Sequence, residues 1–85
     1  MPKVEMYYKP MCPFCIRAKK LLKSKGVEIA EMNAFIDPDH REAMLQRSNG
    51  GRTYPQIFIG GEHVGGSDDL HALDRAGKLD AMLGL

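Results

Sequence analysis

The sequence predicts an α/β fold in which a small, mixed, four-stranded sheet carries helices on both faces. Segments with the two-residue alternation of a strand are interleaved along the chain with segments of helical periodicity. The predicted order is strand, helix, strand, helix, strand, strand, helix. The opening strand–helix–strand unit favours a parallel pair with a right-handed crossover. The later hairpin adds antiparallel strands, and the helices then cover both faces of the sheet.

Length and charge limit the functions that this chain can carry. Its 85 residues allow one domain, residues 1–85, and a net charge of +1 gives no basic field for nucleic acid or an anionic membrane. No apolar run approaches the length of a membrane span. The opening residues, Met1 to Glu5, lack a signal segment. We therefore expect a cytoplasmic monomer that binds neither nucleic acid nor membrane.

The first strand and the first helix meet at a sharp break in the pattern. The strand covers residues 4–8, and Pro10 prevents it from continuing. A helix then begins at Cys12, with Pro13 in its first turn, where the missing N–H costs nothing. Gly26 marks its end. The apolar face predicted for this helix consists of Phe14, Ala18, Leu21 and Leu22.

A second strand and helix follow. Residues 27–32 alternate, with Val27, Ile29 and Glu31 on one face of the predicted strand. Asp37 is expected to cap the next helix, and Pro38 to occupy its first position. This helix continues to about residue 48, where Asn49-Gly50-Gly51 ends it.

The last third of the chain reads as a hairpin followed by a helix. Residues 56–59 and 62–64 flank Gly60-Gly61, a two-residue turn typical of hairpins. Ser67 is expected to cap the third helix, whose first turn contains Asp68 and Asp69. A short helical turn near residues 79–83 completes the prediction.

The only two cysteines lie at the start of the first helix, in Cys12-Pro13-Phe14-Cys15. Backbone N–H groups and the helix dipole favour a negative charge there, which stabilises a thiolate. Cys15 lies one turn further along and within reach of Cys12. We expect Cys12 to be the nucleophile, and Cys15 to be more buried and more strongly protonated. This pattern predicts redox catalysis.

Two other interpretations of the cysteine pair are weaker. Structural zinc usually requires four ligands, and the three histidines do not show the spacing of a second ligand pair, so we predict no metal site. A structural disulfide across three residues would close too small a loop to constrain the unfolded chain much.

Three motifs together resemble the glutaredoxin family. They are Cys12-Pro13-Phe14-Cys15 after a strand, Thr53-Tyr54-Pro55 before the hairpin, and Gly65-Gly66-Ser67-Asp68-Asp69-Leu70 after it. The resemblance covers essentially the whole chain and is to the short bacterial dithiol type, which has a thioredoxin fold. The family usually has Tyr in place of Phe14 and Val in place of Tyr54. Some relatives have a further Cys in place of Ser67.

The resemblance implies a set of site residues. Cys12 and Cys15 would be catalytic, and the Tyr54–Pro55 bond would be cis and would face Cys12. Ser67 and Asp68 would hold the γ-glutamyl end of glutathione, and Lys9 would hold its glycyl carboxylate, with Arg41, Arg47 and Arg52 as weaker candidates. The glutathione-binding residues implied in this way are Lys9, Phe14, Thr53, Tyr54, Pro55, Gly66, Ser67 and Asp68.

The predicted function is a glutathione-dependent thiol–disulfide oxidoreductase acting on protein disulfides and glutathione mixed disulfides. Glutathione is the co-substrate, and no bound cofactor is expected. Two alternatives remain open. One is a carrier of an iron–sulfur cluster ligated by glutathione and Cys12, against which Pro13 argues, because related carriers tend to lack it. The other is a thioredoxin-like reductant fed by a flavoprotein reductase, against which Lys9 and Asp68 argue.

Overall fold

The computed structural model describes residues 2–85 and contains four strands and four helices in that range. Among these residues, no helix is long and apolar enough to cross a membrane. In chain order, the elements are β1 (Val4–Tyr8), α1 (Pro13–Ser24), β2 (Ile29–Asn33), α2 (Pro38–Arg47), β3 (Gln56–Ile59), β4 (Glu62–Gly65), α3 (Ser67–Arg75) and α4 (Leu79–Met82).

The sheet is mixed, as the sequence predicts. Its strand order is β2-β1-β3-β4. Strands β1 and β2 are parallel, whereas β1–β3 and β3–β4 are antiparallel. The turn between β3 and β4 consists of Gly60 and Gly61, both with positive φ, as a tight hairpin turn requires. Because β1 is central, the chain that leaves its carboxyl end enters α1 at the middle of one edge of the sheet.

Side chains of the two central strands point alternately into two cores. On one face, Val4 and Met6 pack with α1, α3 and α4. On the other face, Tyr7 and Phe58 pack with Met44 of α2. The covering of both faces explains why four of the five β1 residues are apolar and why both Met6 and Tyr7 are buried. The prediction of helices on both faces is confirmed.

Strand β2 is shifted from its predicted bounds. It begins at Ile29 rather than Val27 and ends at Asn33. Ile29 pairs with Val4, the first residue of β1, so Val27 has no partner strand beside it. Val27 is nevertheless buried in the larger core, which explains why its apolar character resembles a strand pattern.

A partly buried ion pair links β1 to α2. Arg47 donates to both carboxylate oxygens of Glu5, at 3.0 and 2.8 Å, and to the Tyr7 hydroxyl at 3.0 Å. Its guanidinium carbon lies 4.1 Å from the centroid of the Phe58 ring. The hydrogen bond from Arg47 is the largest influence on Glu5 and lowers the pKa of its carboxyl group.

Replacing Glu5 with glutamine should lower the free energy of unfolding by about 1.5–3 kcal/mol at neutral pH, because Arg47 loses its charged acceptor. The depressed pKa of Glu5 means that this stabilisation is complete above the unfolded-state pKa of about 4.3 and is lost as the pH falls through the folded-state value. Urea unfolding at neutral pH and at a series of lower pH values follows the loss of this stabilisation. Exposed Glu62→Gln is the control. An equal loss at every pH would contradict the assignment.

Candidate functional site

Cys12 occupies the N-cap of α1. Its backbone is extended, with φ −103° and ψ 109°, and its Sγ accepts a hydrogen bond from the Cys15 N–H at 3.2 Å. Pro13 follows at the first helical position, as predicted. A sulfur that caps a helix receives an amide hydrogen bond and lies at the positive end of the helix dipole. Both thiols are free in the structure.

Both cysteines are buried, and Cys15 is slightly the more exposed of the two. Cys12 is 2% exposed and Cys15 is 5% exposed, so the expectation that Cys15 is the more buried residue is wrong. Burial, and next the hydrogen bond to Cys12, raise the pKa of the Cys15 thiol to about 12. Cys15 is therefore strongly protonated at neutral pH, as predicted.

A cavity of about 170 Å³ reaches both sulfur-bearing residues and the loop that precedes them. Lys9 lines this cavity, and so do Lys19 and Glu31, whose charged groups lie 3.2 Å apart. Sequence reasoning did not place Lys19 or Glu31 near the cysteines. The sequence does contain one indication, because Glu31 is a charged residue on the predicted strand face that it shares with the apolar residues Val27 and Ile29.

The Tyr54–Pro55 peptide bond is cis and faces Cys12, as the resemblance implies. The Cys12 Sγ lies 3.9 Å from the Tyr54 carbonyl oxygen. The Tyr54 side chain extends away from this contact, and its hydroxyl donates to the Ala34 carbonyl at 3.3 Å. The Lys9 Nζ lies 5.8 Å from the centroid of the Tyr54 ring.

An open groove of about 390 Å³ runs from the first turn of α1 to the N-terminus of α3. Phe14 lines it and is 53% exposed, so this side chain does not join the buried face predicted for α1. Phe14 instead forms part of the groove wall at the first turn of α1. The groove brings together six predicted site residues, namely Phe14, Thr53, Tyr54, Gly66, Ser67 and Asp68. It is also lined by five residues that were not among the predicted site residues, namely Gly51, Gln56, His63, Gly65 and Asp69.

The N-terminus of α3 is capped differently from the prediction. Gly66 is the N-cap, and its N–H donates to the Asp69 carboxylate at 3.0 Å. Ser67 is the first helical residue, is 3% exposed and contacts His71, so its hydroxyl does not cap the helix. The first amides of a helix have no intrahelical acceptor. The amides of Ser67 and Asp68, two residues that line the groove, therefore have no acceptor within α3.

The four basic residues predicted as candidates to bind the glycyl carboxylate differ in position and in their hydrogen-bond partners. Lys9 is exposed and lies beside Cys12 and Tyr54. Arg47 is bound to Glu5 on the far side of the sheet, and Arg41 donates to the Ala34 and Phe35 carbonyls. Arg47 is therefore ruled out as a candidate, and Arg41 is occupied by the turn after β2. Arg52 is exposed in the loop that precedes Thr53.

Comparison with known proteins identifies the family. The glutaredoxin family model matches residues 4–64. The chain belongs to the glutaredoxin family. A glutaredoxin from Pseudomonas aeruginosa is 57% identical over 83 residues, which cover 98% of this chain and 98% of that protein.

Solved glutaredoxin structures share the fold. The solution structure of the Brucella melitensis glutaredoxin has a TM-score of 0.83 and 53% identity, covering 98% of this chain and 89% of that one. The crystal structure of a buckwheat glutaredoxin–glutathione complex has a TM-score of 0.86 and 35% identity, covering 98% and 77%. This glutaredoxin therefore has a thioredoxin-like fold. It is a disulfide oxidoreductase of the glutathione-dependent class, with its cysteine pair at positions 12 and 15.

Proposed function

We propose that this glutaredoxin reduces protein disulfides and glutathione mixed disulfides through Cys12 and Cys15. The Cys12 thiolate attacks one sulfur of the substrate disulfide, forms a mixed disulfide and expels the other sulfur as a thiolate. With a glutathionylated protein, Cys12 takes the glutathione, and a second glutathione thiolate releases it as glutathione disulfide. The position of Cys12 at the cap of α1, with its sulfur bound to the Cys15 amide, is the observation that carries this proposal.

Protein disulfides require the second thiol. Cys15 attacks the Cys12 sulfur of the mixed disulfide and loses its proton, and the substrate leaves as a thiolate that takes up a proton. The two cysteines are thereby oxidised to a disulfide, and the substrate is reduced. Two glutathione molecules then restore the dithiol and become glutathione disulfide. The raised pKa of Cys15 supports this division of roles, because a protonated thiol does not compete with Cys12 for the first attack.

The open groove beside Cys12 is the proposed glutathione site. Amides of Ser67 and Asp68 at the N-terminus of α3 would bind the γ-glutamyl carboxylate, and the Asp68 carboxylate would bind the ammonium. The backbone of Tyr54, held by Pro55, would pair with the cysteinyl part of the ligand. Lys9 would bind the glycyl carboxylate. Phe14, Thr53 and Gly66 would complete the walls.

The choice of electron donor tests this function against the thioredoxin-like alternative. With a glutathione mixed disulfide as substrate, NADPH consumption should require glutathione and glutathione reductase. Thioredoxin reductase without glutathione should support little turnover, because the proposed groove binds the tripeptide and not a flavoprotein. Turnover with thioredoxin reductase alone would overturn the proposed function.

Absorbance of the purified protein addresses the iron–sulfur alternative, which Pro13 disfavours. A protein that works as proposed should be colourless and fully active. We further propose that it acts as a monomer of one domain in the cytoplasm, with glutathione and with disulfide-bonded or glutathionylated proteins as partners.

A further inference from the structure

Two large apolar side chains are exposed to solvent in the turn after β2. Phe35 and Ile36, in the turn between β2 and α2, are 60% and 68% exposed. Exposed apolar residues that lie together are a feature of interaction surfaces. We refer to residues 34–36 as the apolar turn.

The backbone of the apolar turn is fixed by several hydrogen bonds. The Asn33 side-chain oxygen accepts from the N–H groups of Phe35 and Ile36, each at 3.2 Å. Arg41 donates to the Ala34 carbonyl at 3.2 Å and to the Phe35 carbonyl at 3.0 Å. A surface that is already ordered loses little conformational entropy when a partner binds. The turn therefore presents its two apolar side chains in a preorganised arrangement.

Tyr54 connects this turn to Cys12. Its carbonyl oxygen lies 3.9 Å from the Cys12 sulfur, and its hydroxyl donates to the Ala34 carbonyl at 3.3 Å. The Ala34 N–H also donates to the carbonyl of Tyr8, the last residue of β1. Tyr54 thus contacts Cys12 through its carbonyl group and the first residue of the apolar turn through its hydroxyl group. Tyr54 also lines the groove that is proposed for glutathione, together with Phe14, Ser67 and Asp68, whereas Phe35 and Ile36 do not line it.

We propose that the apolar turn is a docking surface for the polypeptide of protein substrates whose reactive cysteine is flanked by apolar side chains. This inference rests on the proposed function, in which a substrate disulfide must reach Cys12. Cys12 is only 2% exposed, so the residues that flank a reacting cysteine must lie on the surface around it. When the glutathione part of a glutathionylated protein occupies the groove, its polypeptide extends over Tyr54 and contacts Phe35 and Ile36. A small disulfide has no polypeptide to make this contact.

Three substrates distinguish docking of the polypeptide from the chemistry at Cys12. The first, the apolar peptide, is a glutathionylated peptide with Leu and Phe beside its cysteine, and the second is a glutathionylated peptide of the same length with Ser and Gly beside its cysteine. The third is the hydroxyethyl–glutathione mixed disulfide, which has no polypeptide. The parent protein should prefer the apolar peptide in kcat/KM. The double variant Phe35→Ser/Ile36→Ser should lose roughly tenfold or more with that peptide, as expected when an interface anchor is removed. It should keep its activity on the other two substrates. Leu85→Ser, which changes an apolar residue that is 56% exposed at the C-terminus, is the matched control.

Several results would overturn the inference. The first is that the parent protein shows no preference in kcat/KM for the apolar peptide. The second is that the double variant keeps this preference, and the third is that the double variant loses as much activity on the hydroxyethyl substrate as on the apolar peptide. Sedimentation of the parent and the double variant tests whether a second copy of the chain covers the turn instead; a parent dimer that the substitutions dissociate would also overturn it. Failure of the proposed function is distinct, because the parent would then not turn over the hydroxyethyl substrate with glutathione.

Discussion

Replacing Cys12 with serine should abolish turnover of every disulfide substrate, with a loss of at least about 10³-fold, as for the removal of other catalytic nucleophiles. Cys15 cannot substitute for it, because burial, the largest cause of its raised pKa, persists without Cys12 and keeps the thiol protonated at neutral pH. Coupled NADPH consumption with a glutathione mixed disulfide measures the loss. Retained turnover would show that Cys12 is not the nucleophile.

The matched variant Cys15→Ser should separate the two reactions. Deglutathionylation should persist, because a second glutathione can release the glutathione bound to Cys12. Reduction of a protein disulfide should be lost, because no thiol then resolves the intermediate, and the trapped mixed disulfide should appear in the mass spectrum. If Cys15→Ser reduces protein disulfides as well as the parent does, resolution does not depend on Cys15.

The sequence predicts the fold well where the pattern is local. Proline and the N-cap residues Cys12 and Asp37 correctly locate the starts of α1 and α2, and Gly60-Gly61 correctly locates the hairpin turn. The start of β2 could not be predicted in the same way, because it depends on where β1 begins beside it. Val27 is buried although it lies outside β2, so the burial of an apolar residue does not show where the strand begins.

The site is predictable at its motifs and less so between them. The three motifs lead to Cys12, to the cis bond before Pro55 and to the start of α3. The capping arrangement there was wrong, because Ser67 and Asp69 are both reasonable capping residues and only the fold decides which one contacts the Gly66 amide. Contacts between a helix and the sheet, such as that of Arg47 with Glu5, join elements far apart in sequence and could not be predicted from local patterns.

Replacing Asp68 with asparagine should weaken glutathione-dependent turnover by roughly tenfold to a hundredfold. The reason is the loss of one charge-assisted hydrogen bond to the γ-glutamyl ammonium, on the order of 1.5–3 kcal/mol. Asp68 is exposed in the groove and does not cap its helix, since Asp69 binds the Gly66 N–H. Thermal stability should therefore change little, and the alkylation rate of Cys12 should remain that of the parent.

Asp39→Asn is a close control for this effect. Asp39 is exposed and is the second residue of α2, as Asp68 is of α3, so both changes remove one negative charge from the same position of a helix. The Asp39 variant should keep parent turnover, which would separate the loss of a ligand contact from a general change in charge or in the helix dipole. If Asp68→Asn turns over glutathionylated substrates as fast as the Asp39 variant, Asp68 only complements the dipole of α3. The ammonium of glutathione would then have to bind elsewhere along the groove.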